Sequence, residues 1–217
     1  MEGLDGLLAK LLQLAIHENL GNETIQKIEE RLLEKGYSLT QALQDFEPFD
    51  KTLREFFGKE ADEILLKIFN SIFDIRKDKY ERPKSFLIKD KNFINLILST
   101  YSSEEKRTIL SVVSEYALSV SDILKKINLP QSTGYRIISS LIKDGLLVET
   151  DKNKNNMEGR KVSLYKPTIS SLDIQIRKSL VEIEIPFTYE LIKNSHIITG
   201  VMFLFGRPDK IKKFARN

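Results

Sequence analysis

Hydrophobic residues recur at helical spacing through the first third of the chain. Leu4, Leu7, Leu8, Leu11, Leu12 and Leu14, and later Ile64, Leu65, Ile68 and Ile72, form stripes broad enough to face a core. The pattern predicts helices over residues 4–20, 22–35, 40–57 with a break at Pro48, and 59–76. Gly21, Gly36 and Gly58 each follow an amphipathic run, where a left-handed residue ends a helix, and Asn22 and Ser38 stand where the next helix wants an N-cap. After this bundle, "IRKDKYERPKS" (75–85) is charged, contains Pro83 and loses the helical period, so a domain boundary is expected there. "FLIKDKNFINLILSTY" regains apolar residues and is expected to form a helix leading into a second domain.

The period then shortens into a more specific series. "SSEEKRTILSVVSEYA" opens with Ser102 and Glu105 at capping-box spacing and puts Ile109, Val113 and Tyr116 on one face. Ser119 and Asp122 repeat the device before a two-turn helix that buries Val120, Ile123, Leu124 and Ile127. Pro130, its φ preset for a first helical turn, opens a third helix running to Asp144, and Gly145 ends it. "LLVET" and "KVSLY" are β-prone, and the polar "DKNKNNMEG" between them predicts a hairpin. Three helices followed by a hairpin is the winged helix-turn-helix order.

Beyond it, "SLDIQIRKSLVEIEIPF" alternates apolar and polar residues around Arg177–Ser179, which predicts a second hairpin with Leu172, Ile174 and Ile176 facing Val181, Ile183 and Ile185. "FTYELIKNSHIITGVMFLFG" reads as helix on length and spacing, with strand as the alternative across the β-branched run 197–201. The expected architecture is mainly α with a smaller β part (α+β). It comprises a helical bundle over 1–78, a linker and lead-in helix over 79–101, a winged helix-turn-helix over 102–167, and a β-hairpin with a carboxy-terminal segment over 168–217. Residues 168–205 carry more apolar side chains than one small domain covers, so they are expected to hold two copies together as a homodimer. Folding back onto their own domain is the competing outcome.

Charge divides along the chain: residues 1–78 carry 10 Lys/Arg against 16 Asp/Glu, net −6, and the remainder carries 24 against 15, net +9. The basic part suits a polyanion, and the acidic bundle suits an effector or protein partner of its own. No cysteine is present, which fits a reducing compartment, and the amino terminus lacks the basic start and cleavage site of a signal peptide, so a cytoplasmic protein is expected. "IITGVMFLFG" falls well short of the roughly 20 apolar residues a membrane span needs.

The third helix supplies the candidate chemistry. At about 100° per residue, Gly134, Ile138, Leu141, Ile142 and Gly145 share one side, while Ser132, Thr133, Arg136, Ser139, Ser140 and Lys143 share the other. Short hydroxyl side chains let such a face approach a major groove closely, and a guanidinium reaches phosphate or the acceptor edge of guanine. Tyr135 at the margin either packs on the second helix or contacts phosphate. Gly134 is expected to let the second helix cross closely. The following loop carries Lys152, Lys154, Arg160 and Lys161, cations suited to clamping a phosphate backbone.

"LPQSTGYRIISSLIKDGLL" resembles a helix of bacterial and archaeal winged-helix regulators in which Ser-Thr-x-Tyr-Arg precedes a Leu- or Ile-rich turn and Asp-Gly-Leu-Leu. The likeness is to regulators of the arsenical-resistance-repressor type as they occur in ammonia-oxidising archaea, and it covers roughly residues 102–166. It implies that Gln131, Ser132, Thr133, Tyr135 and Arg136 lie at a DNA surface and that Lys154, Arg160 and Lys161 lie on the wing. Gly134 departs from the family pattern, which usually has Val or another apolar residue there, and no Cys or His pair exists for metal sensing. The amino-terminal bundle is loosely similar to helical output domains of the same archaea.

No phosphate-binding loop, nucleotide fingerprint, zinc spacing or nucleophile motif is present, and the two histidines, His17 and His196, lie in different predicted modules. Neither a cofactor nor a metal is expected, and the chain does not read as an enzyme. The expected function is transcriptional regulation through double-stranded DNA. The alternative is a protein–protein adaptor whose winged helix serves a larger assembly without DNA.

Overall fold

The computed structural model describes residues 3–80, 83–155, 161–178, 180–193 and 195–205, and these form a mainly helical chain with a smaller antiparallel sheet part. In order they are α1 (Gly3–Leu20), α2 (Asn22–Glu34), α3 (Leu39–Asp45), α4 (Glu47–Phe57), a 3₁₀ turn (Gly58–Glu60), α5 (Ala61–Ile72), β1 (Phe73–Lys77), β2 (Pro83–Ile88) and α6 (Lys91–Ser102). Then come α7 (Glu104–Glu115), α8 (Val120–Ile127), α9 (Gln131–Lys143), β3 (Leu147–Asn155), β4 (Lys161–Pro167), β5 (Asp173–Arg177), β6 (Leu180–Pro186), α10 (Tyr189–Lys193) and α11 (His196–Phe205). Among these helices none is long and apolar enough to cross a membrane.

Two compact units result, and neither is a continuous stretch of chain. One comprises Leu8–Ile94 with the segment from Ser171 onward; the other comprises Asn95–Ser170 with the start of the chain to Leu7. This differs from the expected succession of modules. The stretch 75–85, where a domain boundary was expected, contains the end of β1 and the start of β2, paired antiparallel, and the helix expected to reach residue 76 ends at Ile72. Phe73 and Ile75 alternate with Asp74 and Arg76, a period of two that five residues present too briefly to stand out from the helical run before it. The charge division dissolves with the module boundary. By unit, Met1–Leu7 with 95–170 carries 11 Lys/Arg against 10 Asp/Glu, net +1, and the rest carries 23 against 21, net +2.

In the first of these units a four-stranded sheet has the order β1-β2-β6-β5, antiparallel throughout. Phe73 pairs with Ile88, Ile88 with Ile183 and Ile183 with Ile174, so one apolar row runs across all four strands. The opposite face is polar: Arg76 binds Glu184 at 2.9 Å and lies 3.6 Å from Glu182, and the buried Ser85 hydroxyl donates to Glu184. The β5–β6 hairpin keeps the expected opposition of Ile174 and Ile176 to Ile183 and Val181, while Leu172 lies outside the strand.

The helices of this unit pack α2 on α3 and α4, and α4 on α5, burying Ile25, Ile28, Leu32, Leu43, Phe49, Leu53, Leu65 and Phe69. α1 buries Leu8, Leu11, Leu12 and Ile16, but Leu14, expected in the stripe, is exposed. Phe46 breaks α3 from α4 with φ +57°, two residues before the break expected at Pro48, and Pro48 falls in the first turn of α4. Gly21, Gly36 and Gly58 all take positive φ as expected. The cap of α2 is Gly21 rather than Asn22, whereas Ser38 forms a full capping box with Gln41. Lys35, just beyond α2, and Arg31 within it both reach Glu55 of α4, at 2.7 and 3.0 Å, and these cations hold its carboxyl below the usual range.

Where the carboxy-terminal segment is described after β6 it forms the helices α10 and α11 and not a strand, and α11 packs on α3 and α5. Ile197, Ile198, Val201 and Leu204, expected to face a second copy, are buried within the unit, whose helices α3 and α5 contact α11. This removes the reason for placing a dimer contact on "IITGVMFLF". Gly200 sits at the crossing, where a Cβ would run into the ring of Phe46, itself packed on Phe69 with centroids 5.6 Å apart. Gly200→Ala should therefore lower stability by about 1–3 kcal/mol despite its better helix propensity, because the buried ring has nowhere to go. Chemical denaturation checks this; an unchanged midpoint and slope would show that the crossing is looser than the structure has it.

Candidate nucleic-acid interface

The unit centred on 95–170 is built on three short helices. Ser103 caps α7 by accepting from the Lys106 N–H at 3.3 Å, so the cap lies one residue beyond the expected Ser102, which ends α6. The Glu105 carboxyl is held below its usual range by its own backbone N–H and by the Ser103 hydroxyl. Burial pushes the Tyr101 hydroxyl the other way. Ser119 caps α8 as expected, accepting from Asp122 N–H at 3.1 Å. Asn128 ends α8 in the left-handed region, and the three residues Asn128–Pro130 turn the chain into α9.

α9 starts after Pro130, which acts as its N-cap in place of a first-turn residue. It ends on Gly145, φ +76°, with Gly145 N–H donating to Ile142 O and Leu146 N–H to Leu141 O, a Schellman closure. Gly134, Ile138 and Leu141 are buried and Ile142 is half-buried, so the inner face falls where the spacing puts it. α9 packs on α7, α8 and β3. At Gly134 an added Cβ would collide with Leu124 Cδ2 of α8, and Leu129 Cβ lies 4.0 Å away. The departure from the usual apolar residue is thus matched by a leucine occupying its place.

Gln131, Ser132, Tyr135, Arg136, Ser139 and Lys143 are exposed and Thr133 is half-buried. No carboxylate stands in α9, and Asp144 beyond its end is engaged by the Ser140 hydroxyl at 3.2 Å. Tyr135 is 49% exposed, so about half of it is covered and half faces solvent. Arg136 makes no ion pair or hydrogen bond among the described residues. The result is a surface of amide, hydroxyl, phenol and two cations on a helix that contains no acid of its own, fixed to a core by its reverse side.

The ribbon after it is longer than expected. β3 runs to Asn155, so Lys152 and Lys154 fall in strand and not in loop, and the pairing resumes as Asn153–Ser163, Lys154–Val162 and Asn155–Lys161. The ladder is irregular between Glu149 and Asn153, where three residues of β3 oppose one of β4. Cross-strand pairing overrides the low strand propensity of Lys and Asn there. Lys161 is exposed at the start of β4, and Arg160 lies outside the described residues.

Two features escape the sequence reading. Leu118, between α7 and α8, exchanges both backbone hydrogen bonds with Tyr165 of β4, at 3.1 and 2.8 Å, adding a third strand position to the ribbon. A single residue carries no period that could have announced it. Lys125 and Lys126 are exposed in the last turn of α8, just before the turn into α9; the Lys-Lys pair is visible in the sequence but reads equally as a helix-dipole partner.

Among the described residues no group of three His, Cys, Asp or Glu could hold a metal ion. No protein-family model matches the chain, and no curated protein matches it.

The α8–α9 crossing fixes how the exposed face is presented. Gly134→Val should cost about 1–3 kcal/mol by forcing Leu124 from its buried position. Pairing it with Leu124→Ala should recover part of that loss, since the smaller side chain vacates the space. Thermal unfolding of both variants and the double mutant measures the coupling, and strict additivity would mean that the two positions do not compete.

Proposed function

We propose that this protein is a DNA-binding transcriptional regulator in which residues 102–167 act as a winged helix, with α9 as the recognition helix and the β3–β4 ribbon as the wing. The reading is supported by the order of elements: a helix, a single bridging strand residue at Leu118, two helices joined by a three-residue turn, and an antiparallel ribbon to which Leu118 pairs. The single observation that carries it is the exposed, acid-free face of α9. Ordinary solvated helix surfaces mix both signs of charge, and this one offers Gln131, Ser132, Tyr135, Arg136, Ser139 and Lys143 with no acid between Gln131 and Lys143.

Physical chemistry assigns the roles. Gln131 and Ser132 stand in the first turn of α9, where backbone N–H groups and the helix dipole favour phosphate. Arg136, one turn further on, can pair bidentately with a guanine edge, while Ser139 and Thr133 are short enough to let the backbone approach. Lys143, Lys161, Lys152, Lys154 and Arg160 would contribute sequence-independent attraction to the phosphates. Nothing in this scheme requires a bound cofactor or a reaction, and we read the protein as a binding module and not as an enzyme. The duplex is its partner, and the larger helical unit remains for an effector or second protein.

Fluorescence anisotropy with duplex DNA tests the reading. Arg136→Ala should weaken binding to a selected site by about 1–3 kcal/mol while sparing random duplex. Lys161→Ala should weaken all sequences alike and lower the slope of log affinity against log salt by about 0.9. A parent protein that binds no duplex even at low salt removes the regulator reading and leaves the protein–protein adaptor in its place.

A further inference from the structure

The four-stranded sheet has two edges, and they differ. At the β1 edge the ladder shifts register between Arg76 and Lys77, where Lys84 of β2 is the extra residue, so β1 belongs to an irregular, locally twisted pair. β5, "DIQIR", is regular, contains no proline and pairs only with β6. Its Ile176 is 72% exposed.

Backbone geometry limits what can add to this edge. Arg177 pairs with Leu180 across a two-residue connection, and such a closing pair exchanges both hydrogen bonds, after which bonded and non-bonded pairs alternate. Arg177, Gln175 and Asp173 therefore turn their N–H and C=O groups toward β6. Ile174 and Ile176 turn theirs outward. An antiparallel strand from a second copy must oppose these outward residues to one another, which allows three registers: Ile174 to Ile174, Ile176 to Ile176, or Ile174 to Ile176. Only the last, centred on Gln175, sets Asp173 opposite the second copy's Arg177, and the two-fold axis repeats that pair. The other two place each of these charges opposite an uncharged residue.

The isolated chain leaves these groups poorly matched. Asp173 faces Glu184 across the hairpin, a like-charge opposition, and makes no ion pair among the described residues. Arg177 donates to Gln175 at 2.7 Å and lies 4.0 Å from a Glu182 oxygen. On the other face, Ile176 of the second copy would extend the row Phe73, Ile88, Ile183 and Ile174 across the junction.

We propose that β5 is a self-association edge, through which two copies join antiparallel about Gln175 into one continuous eight-stranded sheet, with reciprocal Asp173–Arg177 pairs fixing the register. The occupant is a second copy of this chain, because the strand is complementary in charge to itself read backwards. This inference does not depend on DNA binding: a dimer without DNA affinity leaves it standing, and a DNA-binding monomer removes it.

Sedimentation equilibrium of the full chain over a concentration series tests it. The parent should dimerise, and Asp173→Arg or Arg177→Asp alone should weaken dimerisation about tenfold, since each turns two attractive pairs into two repulsive ones. An equimolar mixture of the two single variants should form the heterodimer with parent-like affinity, because every charge again meets its opposite. The double reversal should regain self-association for the same reason. Ile176→Pro, which removes an outward N–H that the monomer does not use, should abolish dimers while leaving the far-ultraviolet circular dichroism unchanged. A parent that stays monomeric throughout, folded single variants that dimerise as the parent does, or a mixture that fails to recover would each overturn the proposal.

Discussion

The antiparallel pairing of β2 with β6, Phe86 opposite Ile185 and Ile88 opposite Ile183, is the constraint on which the larger unit depends. Among the described residues it is the only sheet contact between the early and late parts of that unit, and it places β1 on one side and β5 on the other. A chain of rings is hung on the same junction. Phe46, Phe69, Phe73, Phe86 and Phe187 follow one another with centroids 4.3–5.8 Å apart, running from the α3–α4 break through α5 and the sheet to the residue after β6. Each such contact is worth about 0.5–1.5 kcal/mol beyond the burial of the rings themselves. The positive φ of Phe46 fits this arrangement: that backbone disfavours a large side chain, yet it lets the ring lie between Phe69 and Gly200.

In the smaller unit the corresponding constraint is steric. Leu124 of α8 fills the space a side chain at Gly134 would need, so the two helices cross closely and α9 cannot roll about its axis without losing that fit. Gly145 then stops the helix, and Leu146 and Leu147 follow as buried residues that anchor the ribbon. The exposed face is thus a consequence of how tightly the hidden face is held.

What could be read from the sequence follows from how far apart the interacting residues lie. The faces of α9, the glycine stops, the Ser38 and Ser119 caps and the β5–β6 hairpin are set by residues within a few positions of one another, and the spacing shows them. The placement of 75–88 is a different matter. Five-residue strands carry little periodic signal, and β1 and β2 become strands because β6, about a hundred residues later, completes their sheet. The same holds for α11: an apolar helix looks available for a second copy until α3 and α5 are seen to enclose it. Even the charge division, −6 against +9 along the chain, vanished once residues were grouped by unit. The acid-free face of α9 is a local property and survives that regrouping, which is why it carries the functional reading and net charge does not.

The discontinuity also governs how function can be dissected. Because β2 and β6 flank the smaller unit in the chain, a cut anywhere between Phe73 and Pro186 separates strands of one sheet. Fragments ending near Arg76 or starting near Ser85 would each expose apolar rows that the missing strands cover, and their failure to bind DNA or partner would report unfolding, not a division of labour. Substitutions on exposed positions avoid this. Arg136, Lys161, Asp173, Arg177 and Ile176 all lie at the surface, and none is among the buried residues that hold either core together. The α9 face and the β5 edge belong to different compact units, and DNA affinity and self-association are separate measurements, so the effect of a substitution on each can be read on its own.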